Sequence, residues 1–100
     1  MSEPERLRLL PWAGSDGRRC YLSTDADGSG YVARLADEVE AVQLAMGARL
    51  VERASEVLGA SGRERRARPN ELRCLAYGLV EALRDALRVA ESRGGRGDRP

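Results

Sequence analysis

The chain has no histidine, lysine, isoleucine or phenylalanine, and among its 100 residues only two are cysteine and four aromatic. Without histidine, the commonest general base, proton shuttle and metal ligand is missing, and so is every Ser-His or Cys-His nucleophile. Cys20 and Cys74 stand too far apart, with no histidine partner, to form a zinc signature. Long apolar runs are lacking too: MSEPERLRLL carries two glutamates and two arginines where a secretory signal needs an apolar stretch. The expectation is a cytoplasmic protein with reduced thiols, no membrane span and no cofactor. All 17 basic residues are arginine, and Asn70 is the only asparagine. Scarcity of residues with AT-rich codons points to a high-GC bacterial genome. Codon bias therefore explains the arginines, and a net charge of +1 does not suit a dedicated nucleic-acid binder.

What is present is 42% hydrophobic and 33% charged, the composition of a small globular domain. The fold class expected is α+β, predominantly α, in a single domain over residues 1–93 with a disordered tail at 94–100. Residues 6–24 read as a β-hairpin, with Leu7, Leu9 and Pro11 alternating with Arg8, Leu10 and Trp12 before a Gly/Ser/Asp turn. Residues 31–58 read as a helix capped by Ser29, with a stripe of Leu35, Val39, Val42, Met46, Leu50 and Val57. Residues 71–93 read as a second helix, capped by Asn70, carrying Leu72, Leu75, Leu79, Leu83, Leu87 and Ala90, and stopped by Gly94 and Gly95. The two helices form an antiparallel hairpin, in which Gly47 and Gly78 are expected at a similar height.

The sharpest local motif is Asp25-Ala26-Asp27-Gly28-Ser29-Gly30-Tyr31-Val32. It resembles the first eight positions of an EF-hand calcium loop, with ligand positions at Asp25, Asp27, Ser29 and the Tyr31 carbonyl. The pattern departs where affinity is set, because position twelve is Ala36 in place of a bidentate glutamate. An Asp/Gly/Ser turn leading into a helix is the preferred reading, with no metal bound.

Arg63, Arg65, Arg66 and Arg68 make the densest basic segment, against Glu64 alone. They are candidates for an anion or partner contact, and nucleic-acid binding through them is the first alternative function. Residues 25–58, in contrast, hold seven acidic residues and three arginines, a net of −4 that follows the helix dipole. Cys74 and Tyr77 fall on a polar side of the second helix.

Wound at 100° per residue, the first helix places Leu44, Val51 and Leu58 away from its main stripe, and the second is apolar over half its circumference. One antiparallel neighbour covers less than this. Leu44, Val51, Leu58, Val80 and Leu87 are therefore the expected interface of a homodimer, two hairpins forming a four-helix bundle. The function expected is a non-enzymatic protein-interaction module, an adaptor, regulator or assembly component with a further protein partner. Weak calcium binding through Asp25–Val32 is the second alternative.

Overall fold

Described at residues 6–59 and 68–96, a computed structural model has two strands followed by two long helices: β1 Leu7–Ala13, β2 Arg19–Ser23, α1 Ser29–Leu58 and α2 Pro69–Arg96. The mostly helical α+β class and the element order are as the sequence indicates. β1 and β2 pair antiparallel, with Leu7 opposite Ser23, Arg8 opposite Leu22 and Leu9 opposite Tyr21. Gly17 closes the turn with φ of 79°, a left-handed backbone that side chains disfavour, and its N–H donates to the Gly14 carbonyl.

The strict alternation expected of β1 fails, because the register shifts between Leu9 and Ala13. Four steps along β1 match two along β2, so Ala13 faces Arg19. Pro11 lies inside this bulge, where its missing N–H removes no ladder bond. As a result Arg8, Leu9, Leu10 and Pro11 are all buried in succession.

Both helices begin and end differently from expectation. Ser29 is the first residue of α1, and its hydroxyl donates back to the Thr24 carbonyl, so it does not cap the helix. α2 starts at Pro69, whose fixed φ suits a first helical position, and the Arg68 carbonyl accepts the first bond from the Leu72 N–H. Asn70 therefore lies within the first turn. Gly94 and Gly95 do not stop α2, which runs on to Arg96. Val89 and Ser92 are buried and Arg93 stands 4.0 Å from Glu40, so packing of these turns outweighs a glycine cost of about 1 kcal/mol each. Of the expected tail, residues 97–100 lie outside the described residues.

The largest correction concerns which face of α1 is inside. Leu35, Val42 and Met46 are exposed. Val39, Leu50 and Val57 of the expected stripe are half-buried, and an inner row runs through Ala33, Ala36, Glu40, Gln43, Gly47, Leu50, Ala54 and Val57, alternating steps of three and four. α2 shows the same spacing at Glu71, Leu75, Gly78, Ala82, Asp85, Val89 and Ser92. This is heptad spacing carried largely by small and polar residues.

The contacts gather into two compact units, Met1–Ala41 with Leu87–Pro100 and Val42–Ala86, and each helix contributes to both. In the first, the hairpin unit, the buried residues are Arg8, Leu9, Leu10, Ala36, Glu40, Val89 and Ser92. In the second, the two-helix unit, the Cβ direction of Gly47 points at Ala82, 3.8 Å away, and that of Gly78 at Leu50, 3.4 Å away. The two glycines thus sit about one turn apart along antiparallel helices, and the side chain nearest Gly78 is aliphatic.

Candidate functional site

The hairpin unit is closed by charge. Arg8, 3% exposed near the start of β1, donates from Nη1 to the Ala33 carbonyl at 3.0 Å and from Nη2 to Asp37 Oδ1 at 2.7 Å. Its Nη2 also lies 3.3 Å from Glu40 Oε2, and Glu40 is 1% exposed. Ala33, Asp37 and Glu40 fall on one helix face by their spacing of four and three, so a single guanidinium spans two turns of α1. Two further arginines tie the hairpin to α2: Arg88 donates to the Pro11 carbonyl at 3.2 Å, and Arg19 pairs with Glu91. Hydrogen bonding to Tyr21, then to Glu91, raises the Arg19 pKa above its ordinary value, keeping the guanidinium charged. These groups hold elements together, and every cation among them is an arginine.

The two-helix unit is open. Among its described residues the buried apolar ones are Ala54 and Leu75, whereas Val42, Leu44, Met46, Val51, Leu58, Leu72, Tyr77, Val80 and Leu83 are exposed. The reason is the seam: with Gly47, Gly78 and Ala82 between the helices, the larger side chains project to either side. On one side Val51 and Leu58 of α1 meet Leu79 of α2 and line a shallow, mainly apolar groove with Ala54, Ser55 and Gly59. Val51 is 59% exposed and Leu58 68%.

Of the interface residues expected from sequence, Val51 and Leu58 are thus brought together, with Leu44 one heptad before Val51 on the same helix face. Val80 is exposed on α2, and Leu87, also exposed, belongs to the hairpin unit. Tyr77 and Cys74 are exposed as well. Arg63, Arg65 and Arg66 lie outside the described residues, and Arg68 is exposed beside the start of α2. Asp25, Asp27 and Tyr31 are exposed, and α1 already begins at Ser29, so the backbone is helical from the fifth position of the calcium-loop pattern onward. Among the described residues no cluster of three or more Cys, Asp or Glu side chains is placed to hold a metal ion. No helix among them is long and apolar enough to cross a membrane.

Sequence reasoning missed the Arg8–Glu40 pair, since an isolated charge reads as a solvated one. The available signals were an arginine followed by three apolar residues at Leu9, Leu10 and Pro11, and a glutamate in heptad phase with Ala36, Gly47 and Ala54. Compared with protein-family models, with curated proteins and with solved structures, the chain matches none.

Proposed function

We propose that this chain is a small protein-interaction module that works through the apolar face of its two-helix unit. The observation that carries the reading is that Val51 and Leu58, both large, apolar and exposed, line one mainly apolar groove with Ala54 and Leu79. Clustered exposure of this kind marks interaction surfaces, whereas scattered apolar residues do not. The module is non-enzymatic, a regulator, adaptor or assembly component, in keeping with a chain devoid of histidine. Cytoplasmic residence accords with Cys20 and Cys74 both being free thiols.

A photocrosslinking side chain placed at position 51, and for comparison at Asp25 in the exposed turn, tests the reading in cells. Crosslinks to protein from position 51 and not from position 25 are expected. Equal yields from the two positions, or none from 51, would overturn it.

A further inference from the structure

We draw no further inference here: the strongest candidate, the apolar groove of the two-helix unit between Val51 and Leu58 of α1 and Leu79 of α2, belongs to the surface already described, and nothing in the structure shows what covers it, since its α1 border carries exposed Arg49 as well as Glu52.

Discussion

The hairpin unit and the two-helix unit use the same two helices and the same heptad phase, yet one buries charge and the other leaves apolar surface outside. In the hairpin unit the heptad positions are Ala33, Ala36 and Glu40, and a strand arginine comes to meet them. In the two-helix unit they are Gly47, Leu50 and Ala54, and Gly47 meets Ala82 while Leu50 meets Gly78. The comparison teaches that the seam sets how the helices meet, while the residues flanking it decide whether an element of the same chain covers the rest or apolar surface stays outside. A buried ion pair is a weak source of net stability but an effective way to fix one arrangement, because displacing Arg8 takes the nearer of two guanidinium groups from Glu40, at 3.3 Å against 4.0 Å for Arg93.

The largest effect that can break this contrast is Arg8→Ala, which leaves the buried Glu40 carboxylate without its nearer guanidinium. A loss of about 3–5 kcal/mol in urea unfolding is expected, with most of it recovered when Glu40→Leu is added. Recovery would show that the pair gives specificity more than stability. In the two-helix unit Leu75→Ala should cost about 2–4 kcal/mol, since Leu75 is the larger of the two apolar residues buried among its described residues. Gly47→Ala should stabilise by about 1 kcal/mol, because its new methyl meets Ala82 at an ordinary 3.8 Å and the helix gains propensity. Gly78→Ala should gain less, since its methyl meets Leu50 at 3.4 Å. Arg84→Ala, which removes an exposed ion pair with Glu81 at 3.4 Å, should change stability by no more than about 0.5 kcal/mol. A larger loss would mean that this side of α2 is already covered within the chain.

The element order was legible because each element carries its own local signal: Gly17 for the turn, breaker residues before α1, and apolar periodicity in both helices. The inner face of α1 was not. Periodic reading weighs Leu35, Val42 and Met46 above Ala36, Gly47 and Ala54, while close helix approach favours the small residues. The exposed apolar face was partly legible for the same reason, since Leu44, Val51 and Leu58 stand apart from the larger stripe whichever face is inside. Helix ends were misread at Gly94 and Asn70, where packing around Val89 and Ser92, and the fixed φ of Pro69, overrode the local signal. The bulge at Pro11 and the burial of Arg8 depend on contacts distant in sequence, and no local pattern encodes those.

The most direct test of the contrast is uptake of a hydrophobic dye by the folded chain, compared between Val51→Glu in the two-helix unit and Leu7→Glu in the hairpin unit, each replacing an exposed apolar side chain. Such a dye binds where exposed apolar surface is contiguous. Uptake should fall in Val51→Glu and be kept in Leu7→Glu. Equal uptake by the two variants, or none by the unsubstituted chain, would contradict the account.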